Sequence, residues 1–472
     1  MFSFPLFTNA YCLLPIAFFI FLPGCSGPAP VWPEVNFTSA APQPLKIGAA
    51  AYPITPSGPI FTAGGIPYRT AFTAHDDLWA RAVVFDDGSR RIALVALDLI
   101  GINYDDVVRI RDRVADDVDI DYLLVAATHT HTAPDLVGFW SPTIYQFDDF
   151  YRKYLRLQVT RAVRDALASA VPAVLKIAAA PAGQPMLQRD IREPEYLDDQ
   201  LTVWQAIDAD AGRTIATVIH YATHPVLVPS YCFDISADFP HYLRLAVENG
   251  MDGDDGPVPA QGGVCIYFNA DMAGRLFPES AEPLTVNPET DPTFAAAHAY
   301  GYRLAHRAMK IFTASANTYA EPMTLAAATK TLRVPITNIL LYQGANMHII
   351  DRGLVDGAVN TEVGIARAGP LEFFAIPGMI FPELVRGNFG PVPGSDFPDA
   401  PPESPALAEL AQTEFFIPVG LANDILGYII PKCLWDEKEP WVSSENAGQY
   451  GEVVAPSPDT AAQIMTAFNA LR

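Results

Sequence analysis

Residues 122–131 read Tyr122-Leu123-Leu124-Val125-Ala126-Ala127-Thr128-His129-Thr130-His131, an apolar run of strand length that leads straight into two histidines. An uncharged run of this length predicts a buried strand. In open α/β sheets, the turns that follow such strands lie at the edge where ligands bind. Because alternate residues of an extended segment share a face, we expect His129 and His131 to face one pocket.

A third histidine follows a second apolar strand, predicted at 214–221, in the turn Ala222-Thr223-His224-Pro225. Pro225 lacks a backbone donor and favours the end of the strand at this point. Zinc accepts a neutral imidazole nitrogen at about 2.0–2.1 Å, so His129 and His224 are a candidate ligand pair. The alternative is that these histidines only form hydrogen bonds within their own turns.

Outward from these strands, strand-like and helix-like segments alternate from Leu45 onward. This alternation predicts an α/β protein, with a layered mixed β-sheet core flanked by helices in a single large domain. Motif-bearing sequence resumes after the Gly/Asp/Pro-rich stretch 250–263 and the Pro-rich stretch 387–406, which we therefore interpret as surface loops. The remaining predicted strands are 91–98 and 264–268, and the predicted helices are 107–116, 150–170, 240–249 and 295–314.

Composition limits the partners of the chain. Half of the 472 residues are hydrophobic, which is enough for a large core. The formal net charge of −23 repels phosphate backbones, so we expect no nucleic-acid partner. The expectation of a small-molecule or lipid substrate comes from the family resemblance described below. No CxxC pair is present, and the three cysteines beyond the N-terminal segment fit either small buried hydrophobic residues or one disulfide with a spare thiol.

The N-terminus predicts export. The apolar run 11–23 ends at Leu22-Pro23-Gly24-Cys25, which resembles a bacterial lipoprotein signal in which Cys25 receives the lipid. We therefore interpret 1–25 as a signal peptide with a lipobox, and the Pro/Ala-rich stretch 26–44 as a tether. A cleaved secretory signal and a retained anchor are the alternatives. The expected location is a bacterial cell envelope, with the protein held at the membrane through its N-terminal lipid.

The histidine turns and several other motifs occur in the same order as in the neutral/alkaline non-lysosomal ceramidases, and the chain resembles that family over most of 45–455. The resemblance implies that 45–472 is the catalytic domain, without the C-terminal immunoglobulin-like domain of the family. The other shared motifs are Ile47-Gly48-Ala49, His75-Asp76-Asp77-Leu78-Trp79-Ala80-Arg81-Ala82, Ile235-Ser236-Ala237-Asp238 and Gly420-Leu421-Ala422-Asn423-Asp424.

Because the family consists of zinc amidases, the resemblance implies that His129 and His224 are Zn²⁺ ligands. Tyr428 resembles the family's tyrosine ligand, and His131 would polarise the substrate or shuttle a proton. Zinc lowers the pKa of bound water and polarises carbonyls, in agreement with this chemistry. Asp238 either orients a ligand histidine from behind or caps the helix predicted to follow it.

The sequence departs from the family at two functional positions. Where the family has Gly-Asp-x-Ser-Pro with its nucleophilic serine, this chain has Asn269-Ala270-Asp271-Met272-Ala273-Gly274, so Ala273 stands at the serine position. Asn269 and Asp271 remain candidates for shaping the pocket.

Where the family reads Pro-Gly-Glu, with the glutamate as a ligand, Met379 follows Gly378. A thioether is a poor zinc ligand. Glu383 would replace the missing carboxylate if its loop shifts, or else it is an ordinary surface residue.

Two functions of different classes follow. The first is an exported zinc-dependent hydrolase of an amide or ester bond, similar to ceramidases, in which metal-activated water replaces the serine. The second is a non-catalytic surface lipoprotein that binds a lipid or glycan on a degenerate hydrolase fold.

Overall fold

The structure is a computed structural model that describes residues 30–142, 149–192, 195–274, 276–279, 281–442 and 451–472. The predicted signal peptide and Cys25 lie outside these residues. The helices are α1 (Tyr104–Ala115), α2 (Asp149–Ala168), α3 (Phe239–Asn249), α4 (Ala295–Ser315), α5 (Ile339–Asn346), α6 (Pro382–Arg386) and α7 (Thr460–Ala470). The strands are β1 (Asn36–Thr38), β2 (Lys46–Pro53), β3 (Ile60–Phe61), β4 (Thr70–Ala71), β5 (Thr73–Ala74), β6 (Trp79–Asp86), β7 (Arg91–Leu97), β8 (Tyr122–Ala127), β9 (Val171–Pro181), β10 (Gln188–Asp190), β11 (Gln200–Asp208), β12 (Thr214–Tyr221), β13 (Asp234–Ile235), β14 (Val264–Asn269), β15 (Leu276–Pro278), β16 (Asn317–Tyr319), β17 (Leu325–Pro335), β18 (Ala358–Ala368), β19 (Leu371–Ala375), β20 (Met379–Ile380), β21 (Phe415–Val419) and β22 (Tyr428–Ile429).

Two mixed sheets form the centre of the molecule. The larger has nine strands in the order β14-β12-β11-β9-β2-β6-β7-β8, with β16 paired to β9. Within it, β7 pairs in parallel with β8 and β12 with β14, while the other pairs are antiparallel. The smaller has five strands in the order β1-β17-β18-β19-β21. The predicted mixed α/β architecture is therefore confirmed.

The side chains of the large sheet alternate between two cores, as the period of two along a strand requires. On β7, Ala93 and Val95 pack into a core shared with α1 and α2. Their neighbours Leu94 and Ala96 pack into the core between the two sheets. Helices α3 and α4 cover the strands at the β14 end, and α7 lies against the outer face of the smaller sheet. The resulting order of layers is helices, sheet, sheet and helix.

Curling of the large sheet brings its two edge strands together. Although β14 and β8 stand at opposite ends of the strand order, Asn269 at the end of β14 donates from Nδ2 to the Thr128 carbonyl after β8, at 3.2 Å. Arg81 of β6 also donates to the Cys265 carbonyl of β14, at 2.9 Å. The carboxyl ends of β8 and β12 consequently meet at one place, which is where the candidate site lies.

The local predictions agree with the observed elements. The strand predicted at 122–127 is β8, the strand predicted at 214–221 is β12, and the four predicted helices match α1, α2, α3 and α4 to within a turn. Cys232, Cys265 and Cys433 are all buried free thiols, as expected of small hydrophobic residues. Within the described ranges, no helix combines the length and the apolar character needed to cross a membrane.

Candidate active site

Asn269 ties together the two turns that carry the histidines. Besides its bond to the Thr128 carbonyl, Nδ2 donates to the Thr223 carbonyl at 2.8 Å, and Oδ1 accepts from the Thr223 amide at 3.2 Å. Thr128 and Thr223 directly precede His129 and His224. This fully buried amide therefore holds both turns in register, a positioning role more specific than the pocket-shaping role predicted for it.

His129 and His224 are oriented in the same way. The Nδ1 atom of His129 lies 2.6 Å from the Ile100 carbonyl, and Nδ1 of His224 lies 2.6 Å from the Leu276 carbonyl. Since a carbonyl oxygen only accepts, each Nδ1 carries the proton, and each Nε2 presents a lone pair. The His129 backbone has φ = 75°, a left-handed conformation in which a non-glycine residue needs firm support from its surroundings.

His131 completes a group of three imidazoles. Its Nε2 lies 3.3 Å from Nε2 of His129, and the ring centres of His129 and His224 are 5.2 Å apart. The separation of the His129 and His131 Nε2 atoms suits a hydrogen bond between two neutral rings.

Burial keeps the three imidazoles neutral. Desolvation lowers the pKa of His129 well below its ordinary value, and the neighbouring histidines lower it further. Desolvation likewise lowers the pKa of His131 to about 3 and that of His224 to about 4. Neutral imidazole is the form that binds metal ions, so these histidines need lose no proton at neutral pH to act as ligands.

His129 and His131 form part of the wall of a cavity of about 530 Å³, and His224 lies beside His129 but outside the lining. Tyr428 and Met379 lie on its wall as well, side by side in the parallel pair of β20 and β22. Arg352 is a rare charged residue of the lining, and its guanidinium forms an ion pair with the buried Asp424. The rest of the lining is mainly apolar, from residues such as Ile100, Val137, Trp140, Leu341, Ile350, Val359, Ile425 and Leu426.

The structure does not bring Glu383 to the histidines. Its Oε1 accepts from Nη1 of Arg192 at 2.9 Å, and Arg192 also donates to Asp190 at 2.7 Å. Glu383 is buried but is absent from the cavity lining, so the nearby wall position is occupied by the Met379 thioether. The position of Met379, where the resemblance predicts a carboxylate ligand, is thus apolar, and Glu383 has a different partner.

Ala273 and Asp271 also lie behind the cavity wall. Ala273 is fully buried, and its amide donates to the Ile380 carbonyl at 3.2 Å. Asp271 is fully buried as well, and desolvation together with the neighbouring Asp198 carboxylate raises its pKa well above the ordinary value. Neither residue belongs to the lining of the cavity, so in the segment 269–274 it is Asn269 that contacts both histidine turns.

Asp238 is the N-cap of α3, as one of its two predicted roles requires. Oδ1 accepts from the Phe239 amide at 2.6 Å, and Oδ2 accepts from the Val228 amide at 2.7 Å. The second bond fixes the segment that follows His224, four residues away along the chain. Asp238 therefore supports the histidine turn through the backbone. Burial raises its pKa to about 6.

Several groups that hold the site have no signature in the sequence. The carbonyls of Ile100 and Leu276 orient the ligand candidates, and any residue type supplies a carbonyl. Thr130 and Thr132 both donate to the Ser236 carbonyl at 2.8 Å, which joins the histidine turn to the 235–238 motif. Both motifs were recognised in the sequence, but nothing in the sequence indicated that they contact each other.

In the described part of the chain, no group of three or more His, Cys, Asp or Glu side chains is arranged so that it could hold a metal ion. The residues nevertheless fit zinc in part, because two imidazoles present Nε2 and Tyr428 lines the cavity that His129 also lines. They lack the carboxylate that often completes such a site. The candidate ligands are therefore two neutral imidazole nitrogens and a tyrosine, without a carboxylate.

Fold and site together define an α/β protein with an apolar cavity bounded on one side by neutral histidines. The chain is similar to a crystal structure of neutral ceramidase from Pseudomonas aeruginosa, with a TM-score of 0.67 and 18% sequence identity, over 90% of this chain and 73% of that chain. It is also similar to a ceramidase complexed with C2, with a TM-score of 0.65 and 17% identity, over 90% of this chain and 74% of that chain. The chain therefore has the fold of the neutral ceramidases. No protein-family model and no curated protein matches it at a significant level.

Proposed function

We propose that this protein is a zinc-dependent hydrolase that cleaves an amide or ester bond in the histidine cavity. The observation that supports it most is the matched orientation of His129 and His224, whose Nδ1 atoms are both taken by backbone carbonyls. Such outer bonds set the tautomer and the orientation of metal-binding histidines. Nε2 of His129 is left facing His131, an arrangement that packing alone does not require.

In this proposal, His129, His224 and Tyr428 hold the metal ion, and Glu383 is excluded because Arg192 engages its carboxylate. Zinc, when bound, polarises a carbonyl and lowers the pKa of a water molecule. His131, neutral and with Nε2 beside His129, is placed to accept the proton of the attacking water and return it to the leaving group. The apolar lining excludes bulk water, which strengthens these polar interactions.

The cavity favours a neutral, largely apolar substrate. Its volume of about 530 Å³ lies within the usual range for small-molecule sites. The ion pair of Arg352 with Asp424 leaves that part of the wall without a free charge. Because the two similar structures are ceramidases, we propose a lipid-derived amide as the first substrate class to test.

We also propose that the protein is exported and held at the membrane by a lipid on Cys25. The support is the sequence alone, where the apolar run 11–23 precedes the Gly24-Cys25 pair. Labelling of the full chain with a fatty-acid analogue tests the proposal. We expect the parent chain to be labelled and the Cys25→Ser variant to remain unlabelled. Equal labelling of both chains would contradict the proposal.

A second candidate function is a non-catalytic lipid- or glycan-binding protein. Three observations favour it: Ala273 replaces the expected serine, Met379 provides no carboxylate, and Glu383 is held by Arg192. In this alternative, the cavity binds its ligand without a metal ion, and the histidines act only as neutral polar groups.

The metal content of the purified protein separates the two functions. About one zinc ion per chain is expected for the hydrolase, with binding and turnover both lost in His224→Ala. His306→Ala is the matched control, since it removes an imidazole from α4 outside the cavity. A parent protein that stays free of zinc in zinc-containing buffer would refute the hydrolase and favour the binding protein.

A further inference from the structure

Several exposed apolar side chains line the histidine cavity or lie next to its lining residues along the chain. Their exposed fractions run from 41% for Phe139 to 64% for Ile339. Each is itself part of the lining or lies within two residues of it. We call this set the apolar collar, which consists of Ile66, Tyr68, Phe139, Ile339, Leu340 and Met347.

The three segments that carry the collar are fastened together. The Tyr68 amide donates to the Trp140 carbonyl at 2.7 Å, which joins the first segment to the second. The Asp351 amide reaches the Val137 carbonyl, and a Cβ added to Gly138 would lie 2.2 Å from the Ile349 carbonyl, so the second and third segments are in close contact. The collar is therefore one continuous surface.

Acidic residues are absent from these segments, in a chain that has 53 of them. Residues 51–74, 136–142 and 334–350 contain no Asp or Glu, and Arg69 is their one Lys or Arg. Arg69, the cation of the first segment, is buried and donates to the Ser230 carbonyl at 2.9 Å. The collar is thus an uncharged apolar surface on a strongly acidic protein. Exposed apolar surface of this kind marks an interaction site.

We propose that the apolar collar docks onto the surface of a neutral lipid bilayer, with the mouth of the cavity facing the membrane. Phe139 belongs to both the lining and the collar, and the lining residue Leu341 directly follows Leu340 of the collar. An amphiphile that passes between the bilayer and the cavity therefore keeps its apolar part out of water. A protein partner seated on the collar would instead close the mouth. The net charge of −23 disfavours anionic lipid, which leaves zwitterionic or uncharged lipid as the partner.

This docking is a second membrane contact, separate from any lipid on Cys25, and it holds whether or not the cavity hydrolyses its ligand. Trp140 provides a reporter, because it lines the cavity next to Phe139 of the collar. The experiment uses the full chain with Cys25→Ser, mixed with phosphatidylcholine vesicles whose acyl chains carry bromine. Bromine quenches tryptophan emission only at close range, and Trp140→Phe identifies the share of quenching that comes from Trp140.

We expect Trp140-dependent quenching in the parent and its loss in the double variant Ile339→Asp/Leu340→Asp. Both side chains are mostly exposed, and acidic residues in the first turn of α5 suit the helix dipole, so the variant keeps its fold. Leu245→Asp/Val286→Asp is the matched control, with two exposed apolar residues distant from the lining, and it retains the quenching.

Absence of Trp140-dependent quenching in the parent would overturn the proposal, as would an equal loss in the collar variant and the control. A parent that forms dimers in sedimentation, and that the collar variant converts to monomers without any quenching by vesicles, would show instead that the collar joins two copies of the chain. Zinc content is measured in parallel, so failure of the docking is distinguished from failure of the proposed hydrolase.

Discussion

The two sides of the cavity differ in how their polar groups are used. On the histidine side, which comprises the turns at 128–132 and 223–225, backbone carbonyls and Asn269 aim the imidazoles at one another. On the other side, which comprises the segments around Ala273, Met379 and Glu383, only Met379 belongs to the cavity lining, and the polar groups do not reach it. Glu383 pairs with Arg192, and Met379 faces the space where a carboxylate is expected.

This difference shows that the two groups of residues are supported independently. The histidine side depends on strand ends and buried backbone bonds, which belong to the fold itself. A carboxylate on the opposite side must be balanced by a cation when the metal ion is absent, because a buried unpaired charge is costly. Replacing it with Met379 removes that cost, and the histidines remain in position because their support does not pass through this residue.

We expect the largest effect on stability from Asn269→Ala, which removes the amide that joins the two histidine turns. The substitution leaves the Thr128 and Thr223 carbonyls and the Thr223 amide without their buried partner. We expect the free energy of unfolding to fall by about 3–5 kcal/mol, because unpaired buried polar groups cost about 1–3 kcal/mol each. Denaturant unfolding measures it. Asn469→Ala, at the exposed end of α7, is the control and leaves the stability unchanged.

A loss below about 1 kcal/mol for Asn269→Ala would mean that the two turns stay in register without the amide, since that is the usual net worth of one hydrogen bond.

Met379→Glu sharpens the comparison by restoring a carboxylate to the opposite side. Without metal, the buried charge lowers the free energy of unfolding by roughly 2–3 kcal/mol. With zinc, the new ligand raises the affinity about tenfold or more, equivalent to about 1.4 kcal/mol. Calorimetric zinc titration and thermal unfolding with and without zinc test both parts. Met379→Leu is the control, because it conserves volume and adds no ligand.

If zinc binds Met379→Glu no better than the parent, the Met379 position does not face the metal ion, and the proposed arrangement of ligands is wrong.

Glu383→Gln gives the smallest effect, because it changes a residue that the structure places outside the cavity. Arg192 loses one partner but keeps Asp190, so we expect a loss of about 1–2 kcal/mol in stability. Zinc affinity stays at the parent value, as it does in the control Glu321→Gln, which alters an exposed carboxylate. A drop in zinc affinity in Glu383→Gln alone would restore Glu383 as a ligand.

Several parts of the site could be predicted because their signals are local. The apolar strands before His129 and His224 end where the sequence indicates. Asp238, directly before Phe239-Pro240, is the predicted N-cap. The partner of Glu383 had no such signal. Arg192 is 191 residues away along the chain, and no periodic pattern indicates which of many arginines a buried carboxylate will meet.

The sequence by itself determined the mixed α/β architecture and the strand-end positions of the histidines, and it has Ala273 and Met379 where the ceramidase resemblance predicts a serine and a glutamate. These follow from residue identity and from periods of two and 3.6 residues, which need no knowledge of distant contacts. Only the tertiary structure decided that β8 and β14 meet at the carboxyl edge, that Asn269 joins both turns, and that Met379 and not Glu383 faces the cavity. Those facts depend on the curl of the sheet and on long-range pairing of buried charges, which form only when the whole chain packs.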